Sequence, residues 1–356
     1  KNKALTKTPL LFKSSFQALP KTWKMIASPT ENRGKIFGQR MMSPTATASP
    51  YLNRLSGEKE VVVAGWENNQ DSSFPYQAVV KIYQPGTDRY DRIVIPSTLL
   101  TGGDSYNNRQ NLNFSGIGIS ANRRQVFVAG GTPYGAGSSD LSTQSSKSLF
   151  LVDAPTRQVK KLPDMPGGRT APLVTEGSGL VFVAGGIADR KLLKTIDLYD
   201  QRQGRWLTAA EVEKRYPGLT EMPTGRMSGT MIRVTDKQTD RLFLIGGSID
   251  ERSGWNVVNV EATKTVHVYD FNAKGWIETE MPTPRLFPAV TVAQKMTSLG
   301  GKRTVAKQLV VAGGFTGNQG QGRRDPQLYS NEGLDPYRLT WTMGAFLPLQ
   351  PALAGS

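Results

Sequence analysis

The chain has 356 residues, with 44 Lys and Arg against 29 Asp and Glu, no Cys and a single His. Without Cys, thiolate catalysis, disulfides and Cys-zinc sites are excluded, and one His excludes His-rich copper, iron or zinc centres and every Ser-His-Asp triad not built on His267. No apolar run approaches the ~18 residues that a membrane-spanning helix needs. We therefore expect neither a metal centre, nor a cofactor, nor a transmembrane segment.

Basic residues are concentrated at the N-terminus, where residues 1–54 hold ten of them against one acid, Glu31. Such a basic N-terminal arm predicts salt-dependent affinity for phosphate, carboxylate or sulfate polymers, although a solvated segment that only aids solubility would have the same composition. Sequence-specific nucleic-acid binding is not expected, because no recognition helix, zinc finger or aromatic RNA-binding pattern accompanies the charge.

The start of the chain and the lack of Cys bear on location. The first residue is Lys rather than Met, as expected of a processed or excised form such as an exported bacterial protein without its signal. A chain without Cys also suits an oxidising compartment. These features favour a periplasmic or extracellular location.

A short apolar strand that ends in small residues recurs five times along the chain. The steps between copies are 65, 55, 61 and 67 residues, which predicts a repeat architecture in which each unit packs on its neighbours. The length alone would suggest two domains, but repeats spread over most of the chain favour one ring. The copies lie at 61–66, 126–131, 181–186, 242–247 and 309–314.

Each repeat contains four β-rich runs separated by Gly, Asn, Asp and Pro turns. In the fourth repeat these runs are 225–232, 241–247, 265–270 and 275–278. Four antiparallel strands per repeat are typical of a propeller blade, so the sequence predicts an all-β propeller of four-stranded antiparallel blades. We expect a single domain over residues 1–356, with the arm and a closing strand in 1–39, five blade repeats in 40–345 and a terminal strand in 346–356.

The glycine pair, a following Tyr-Asp strand and a Trp seven residues after the Tyr resemble the kelch repeat; Tyr199 with Trp206 and Tyr269 with Trp276 fit it best. The resemblance implies a galactose-oxidase-like or kelch-like propeller without the copper-radical site, since that site requires Cys and more than one His. We expect the glycine pairs to be structural and the Tyr and Trp side chains to pack one blade on the next. The first two repeats depart from the pattern, with Trp66 replacing a glycine and no later Trp.

The number of blades depends on the chain ends. Residues 20–27 resemble a fourth strand without a blade of its own, and residues 346–353 resemble the opening of a sixth repeat. Together they predict a sixth blade closed by both termini, with five blades as the alternative.

An Arg precedes the innermost strand in four of the repeats. If the repeats share one register, these guanidinium groups converge at one end of the central channel and suit a carboxylate, sulfate or phosphate. The alternative is that each Arg binds a carbonyl or carboxylate within its own repeat. His267 alternates with Val266 and Val268 on a third strand and is expected to be structural. The candidate ligand-binding residues are Arg40, Arg169, Arg226 and Arg285, with Arg109 as a looser candidate.

Three functions remain open from the sequence. The first is a non-catalytic platform that binds an anionic glycan or a protein partner in the cell envelope or outside the cell. The second, implied by the kelch resemblance, is a metal-free carbohydrate enzyme of the sialic acid mutarotase type, which would need an acid and a base beside the Arg ring. The third is a structural subunit of a larger assembly.

Overall fold

The computed structural model describes more than half of the chain, in ranges distributed over all five repeats. The N-terminal arm and the last residues lie outside these ranges. The described residues are 42–52, 59–68, 76–84, 89–96, 115–120, 125–132, 145–153, 155–237, 239–250, 260–299, 302–314, 316 and 331–343.

The described residues form β-strands and one short helix. The first sheet consists of β1 (Met42–Leu52), β2 (Lys59–Asn68), β3 (Tyr76–Gln84) and β4 (Arg89–Val94), and the second of β5 (Gly116–Ile119), β6 (Gln125–Ala129), β7 (Leu149–Asp153) and β8 (Gln158–Leu162). The third sheet consists of β9 (Leu173–Gly177), β10 (Leu180–Ala184), β13 (Ile196–Asp200) and β14 (Arg205–Trp206), with a small hairpin of β11 (Ile187–Ala188) and β12 (Lys191–Leu192) inserted. Helix α1 (Ala209–Arg215) follows. The fourth sheet consists of β15 (Thr230–Thr235), β16 (Asp240–Ile245), β17 (Thr265–Asp270) and β18 (Gly275–Glu280), and the fifth of β19 (Ala289–Leu299), β20 (Lys302–Ala312), β21 (Asn331–Leu334) and β22 (Trp341–Met343).

The four-stranded sheets are antiparallel and follow chain order from one edge to the other. The first strands of neighbouring sheets contact one another, from β1 to β5, β9, β15 and β19, and β19 contacts β1 again. This arrangement is that of a β-propeller, in which closure leaves no long inner edge unprotected. The predicted all-β class and the four-stranded antiparallel sheets are confirmed.

The prediction of six blades is not supported. The described residues form five four-stranded sheets, and the fifth completes its four strands within 289–343 without help from the N-terminus. The segments 20–27 and 346–353, which were expected to build a sixth blade, lie outside the described residues. The extent of the domain, 1–356, stays a prediction.

The core lies between the sheets, because both faces of the central strands are covered. In β10, Phe182 belongs to a cluster with residues of the fourth sheet such as Leu242, whereas Val181 and Val183 pack toward Phe127 of the second sheet. All five residues of β10 are buried. Burial on both faces is why this strand reads as a continuous apolar run rather than an alternating one.

The inner strands approach each other closely where β5 meets β9. A Cβ at Gly118 would lie 2.8 Å from Cγ1 of Val174, and one at Gly116 would overlap the carbonyl oxygen of Pro172. Only glycine permits this separation, so the Gly-Ile-Gly-Ile sequence of β5 sets how tightly the second and third sheets meet. Within the described residues, no helix has the length and apolar character needed to cross a bilayer.

Candidate functional site

Arg169, Arg226 and Arg285 each lie four residues before the first strand of their sheet. All three side chains are buried, with at most 2% of the residue exposed. Their backbone carbonyls each accept a 2.7 Å hydrogen bond from the second glycine of the preceding sheet's glycine pair. The donors are Gly131, Gly186 and Gly247, in that order. The arginine backbone therefore ties each sheet to the one before it.

This hydrogen bond explains why the first residue of each pair is also a glycine. Gly130, Gly185 and Gly246 have φ values of 67°, 60° and 64°, in the left-handed region. A Cβ at these positions would lie less than 3 Å from the carbonyl oxygen of Arg169, Arg226 and Arg285, respectively. Both the backbone conformation and the close approach require glycine, as the sequence predicted.

The guanidinium of Arg169 stays within its own sheet. Its Nη1 donates to the carbonyl oxygens of Gly185 and Thr195 at 3.0 and 2.9 Å, and its Nη2 donates to Oγ1 of Thr195 and to the carboxylate of Asp197. Gly185 follows β10 directly, Thr195 directly precedes β13, and Asp197 lies on β13. Arg169 thus joins the second and third strands of one sheet.

The other two arginines repeat this arrangement in their own sheets. Arg226 donates to the carbonyls of Gly246 and Thr265, the latter at 2.9 Å, and its Nη2 lies 3.3 Å from Nδ1 of His267. Arg285 donates to the carbonyl of Gly313 at 2.7 Å and to Oε1 of Glu332 at 3.1 Å. In all three sheets, the arginine neutralises carbonyl dipoles where the strands end.

The acceptors described above for three of the five predicted arginines lie in each arginine's own sheet. Arg169, Arg226 and Arg285 are buried, and these contacts match the alternative in which each Arg serves its own repeat, whereas the ligand-binding ring stays a prediction. The reason is local, because the side chain reaches across the ends of the second and third strands, where acceptors are close. Arg40 and Arg109 lie outside the described residues.

One register position on the third strand supplies the side-chain partner of each arginine. Asp197 lies opposite Val183, His267 opposite Leu244 and Glu332 opposite Val311, which are equivalent positions before the glycine pair. The second and first sheets have Phe150 and Lys81 at this position, opposite Val128 and Val63. Aligning the third strands on the glycine pairs would have revealed an acceptor at this position in the three repeats for which the structure describes a buried arginine.

His267 is the only imidazole among these acceptors. Its ring is 1% exposed, with Arg226 at Nδ1 and Oε2 of Glu278 3.0 Å from Nε2. Because Arg can only donate, Nδ1 is the acceptor and Nε2 carries the proton that Glu278 accepts. Burial and then the Arg226 charge lower the pKa of His267, against the opposing effect of Glu278. Burial lowers the pKa of Arg226 to about 10, so it remains charged at neutral pH while His267 is neutral.

The Tyr and Trp pairs of the third and fourth sheets close the gaps between sheets. Tyr199 and Trp206 are edge-to-face with ring centroids 5.4 Å apart, and Tyr269 and Trp276 repeat this geometry at 5.3 Å. The indole nitrogens of Trp206 and Trp276 donate to carbonyls in the connections from the preceding sheets, those of Pro163 at 3.0 Å and Gly218 at 2.8 Å. Each Trp therefore fastens its sheet to the connection before it.

The acids near the helix also hold local structure. Glu211 accepts from Arg205 at 2.6 and 2.9 Å and from the backbone N–H of Thr208 at 2.7 Å, completing the capping box of α1. The hydrogen bond from Arg205, followed by those from Thr208, lowers the pKa of Glu211 to about 2. Glu213 accepts from the backbone N–H of Gly218 at 3.0 Å. Within the described ranges, no three His, Asp or Glu residues are grouped as metal ligands would be.

We call the end of the propeller that carries the turns between first and second strands, and between third and fourth strands, the hairpin face. Two arginines that form ion pairs within the fourth sheet also donate to backbone carbonyls of neighbouring sheets there. Arg233 binds Asp240 at 2.8 and 2.7 Å, donates to the carbonyl of Gly177 in the preceding sheet and lies 4.3 Å from the ring centroid of Phe271. Arg241 pairs with Asp270 and donates to the carbonyls of Pro336 and Tyr337 in the fifth sheet. The hairpin face is thus a cross-linked surface.

A two-stranded ribbon extends from this face. Strand β20 pairs with β21 only at 309–312, whereas its pairing with β19 continues to Lys302. Residues 294–299 and 302–307, which we call the basic ribbon, therefore extend roughly 20 Å beyond the third strand at ~3.4 Å per residue. At its base, Nζ of Lys307 lies 3.2 Å from Asp236 and 2.8 Å from the carbonyl of Thr235. Its other basic positions are Lys295, Lys302 and Arg303.

Sequence reasoning missed the basic ribbon, although a signal was present. Seven basic residues and no acid lie between Glu280 and Asp325. The sequence matches no protein-family model and no curated protein. The kelch resemblance therefore rests on the residues of this chain alone.

Proposed function

We propose that this protein is a non-catalytic propeller of the kelch type that acts as a rigid binding platform for an anionic glycan, in the cell envelope or outside the cell. The single observation that carries the proposal is the basic ribbon at the hairpin face. The proposal includes that the five described sheets are the blades of one closed ring. Support for the ring comes from the contacts between consecutive first strands, including that of β19 with β1.

Rigidity of the platform is supported by the repeated ties between sheets. Arginine carbonyls bind the glycine pairs, Trp side chains bind the preceding connections, and Arg233 and Arg241 bridge neighbouring hairpins. A ribbon held by such a frame loses little conformational entropy when it binds, so more of the interaction energy appears as affinity. This arrangement favours a binding surface on the ribbon.

The charge distribution favours a polyanion. The net charge is +15, and the ribbon lies within the longest part of the repeats without an acid. Grouped Lys and Arg raise the local concentration of an anionic polymer and pair with its carboxylates or sulfates. By contrast, two arginines of the ring that an enzyme of the mutarotase type would use, Arg169 and Arg226, hold the fold through internal hydrogen bonds. Binding is therefore favoured over catalysis.

The test compares two triple variants for binding of heparin oligosaccharide, a sulfated glycan, by calorimetry. Lys295→Gln/Lys302→Gln/Arg303→Gln removes three charges from the ribbon, and Lys160→Gln/Lys191→Gln/Lys194→Gln removes three exposed charges elsewhere. At ~1 kcal/mol for each basic residue near an anionic surface, the ribbon variant should bind about a hundredfold more weakly. The control should change little.

Equal loss in both variants, or none in either, would contradict the ribbon as the binding element. Thermal unfolding of both variants checks that the sheets remain intact.

A further inference from the structure

The hairpin face has a second feature, in the third sheet and separate from the basic ribbon of the fifth. A cavity of about 440 Å³ opens between the β9–β10 turn, the β13–β14 turn and the end of α1. This volume falls within the ~300–1,000 Å³ that small-molecule sites occupy. We call it the cationic cavity; its lining residues are Ser178, Gly179, Leu180, Asp200, Arg202, Gln203 and Arg215.

The carboxylate of Asp200, which lines this cavity, accepts hydrogen bonds from residues of its own turn. Oδ1 of Asp200 accepts from the backbone N–H groups of Arg202 and Gln203 at 2.9 and 3.0 Å. Oδ2 of Asp200 accepts from Nε2 of Gln203 at 3.1 Å. Only 7% of the surface of Asp200 is exposed, so a ligand could contact little of its carboxylate. Asp200 shapes the turn that presents Arg202 and Gln203.

The two positive charges of the cavity have no such partner. Arg202 and Arg215 are exposed, and in the part of the chain that the structure describes neither forms an ion pair. The guanidinium of Arg215 lies 5.1 Å from the ring centroid of Tyr216, which limits its orientation. Tyr216 in turn packs edge-to-face on Phe271 of the fourth sheet at 5.3 Å. A stacked guanidinium is more pre-organised for ligand binding than a freely rotating ammonium.

One side of the cavity is lined by the tight turn between β9 and β10. Ser178 and Gly179 connect β9 to β10 with φ values of 57° and 79°, the conformation of a two-residue hairpin loop. Oε1 of Glu176 accepts from the backbone N–H of Gly179 at 2.8 Å. Ser178 and Gln203 thus line the same cavity as Arg202 and Arg215.

We propose that the cationic cavity binds the anionic group of a small ligand, a carboxylate, sulfate or phosphate carried by a molecule of about sugar size. Arginine pairs such groups through two parallel N–H donors, and two arginines from separate elements can hold one anion between them. The site goes beyond the platform function, because it takes a small molecule and uses no residue of the basic ribbon.

The test is a calorimetric titration with four probes: inorganic sulfate, inorganic phosphate, glucuronate and, as a neutral sugar, galactose. Arg202→Gln/Arg215→Gln removes both cavity charges. Arg338→Gln/Lys214→Gln is the matched control, because Arg338 follows Asp335 in the equivalent turn of the fifth sheet and Lys214 is the exposed neighbour of Arg215 in α1. Both variants lose two exposed charges.

We expect saturable binding of at least one anion, no binding of galactose, and a loss of about tenfold or more in Arg202→Gln/Arg215→Gln but not in the control. Tighter binding of glucuronate than of the inorganic ions would identify a sugar acid as the ligand, and the reverse would identify a free anion. Absence of saturable anion binding by the unaltered protein, or equal loss in both variants, would overturn the site. Heparin binding by the cavity variant reports separately on the ribbon.

Discussion

At the scale of single residues, the buried arginines show how this fold accommodates charge in its interior. A guanidinium removed from water is costly unless its donors are paired. Arg169 and Arg285 have carboxylate partners, whereas Arg226 has two carbonyls and the neutral ring of His267. The fourth sheet therefore contains the one arginine cluster, among the three described, whose partner can become positively charged. The stability of this cluster should therefore fall below about pH 6.5, the ordinary pKa of an unfolded His.

The pH dependence follows from the lowered pKa of His267. An unfolded His has a pKa of about 6.5, so between that value and the lower folded pKa the unfolded state binds more protons, and stability falls as the pH falls. The charged groups that face the ring are Arg226, which opposes protonation, and Glu278, which favours it without reversing the shift. The stabilising contribution is complete above about pH 6.5 and is lost as the pH drops through the folded pKa.

We predict that the wild type loses up to about 1.4 kcal/mol per pH unit more than His267→Gln below about pH 6.5. The measurement is urea unfolding of both proteins from about pH 7.5 to 5. His267 is the only histidine, so no other imidazole contributes. Identical slopes for the two proteins would contradict the neutral, buried state of the ring.

At the scale of elements, a hydrogen bond joins one sheet to the next, from the second glycine of a pair to the backbone carbonyl of the buried arginine in the following sheet. At the third sheet, the N–H of Gly186 donates to the carbonyl of Arg226, and Gly185 leaves no room for a Cβ. Gly204 also has a positive φ, of 67°, but its Cβ would meet nothing within 4 Å. Comparing Gly204 with Gly185 therefore separates the cost of the left-handed conformation from the cost of the close approach.

We predict that Gly204→Ala lowers the free energy of unfolding by about 1–2 kcal/mol, the cost of a left-handed non-glycine residue. Gly185→Ala should lower it by about 2 kcal/mol more, because the Cβ also forces the third and fourth sheets apart. Denaturant unfolding of both variants measures the difference. Equal losses would show that the glycine is required only for its backbone conformation.

Strand order and glycine function were predictable from sequence, since apolar runs, turn residues and glycine pairs are local signals. The ion-pair partner of Arg169 was not predictable, because Asp197 lies 28 residues away in sequence and is brought near only by strand pairing. The cationic cavity was missed for a similar reason, because Arg202 and Arg215 come to line one cavity only through the fold of the turn and helix that carry them. The predicted sixth blade is not supported, because the fifth sheet completes its four strands within 289–343, and the terminal segments that suggested it lie outside the described residues.

At the scale of the whole molecule, a cross-linked propeller presents basic elements at its hairpin face. Hydrogen bonds between neighbouring sheets recur along the chain, so the same set of joined sheets supports the ribbon and the cationic cavity. The positive charge of the repeats is greatest where the ribbon extends from the fifth sheet. A polyanion that contacts this end should therefore cover the ribbon first.

Lysine acetylation with and without heparin oligosaccharide, followed by mass spectrometry of the full chain, tests this account most directly. We expect heparin to protect Lys295 and Lys302 from acetylation and to leave Lys160 and Lys191 as reactive as in the free protein. Protection confined to lysines of the basic N-terminal arm, with Lys295 and Lys302 unchanged, would contradict the ribbon as the binding surface.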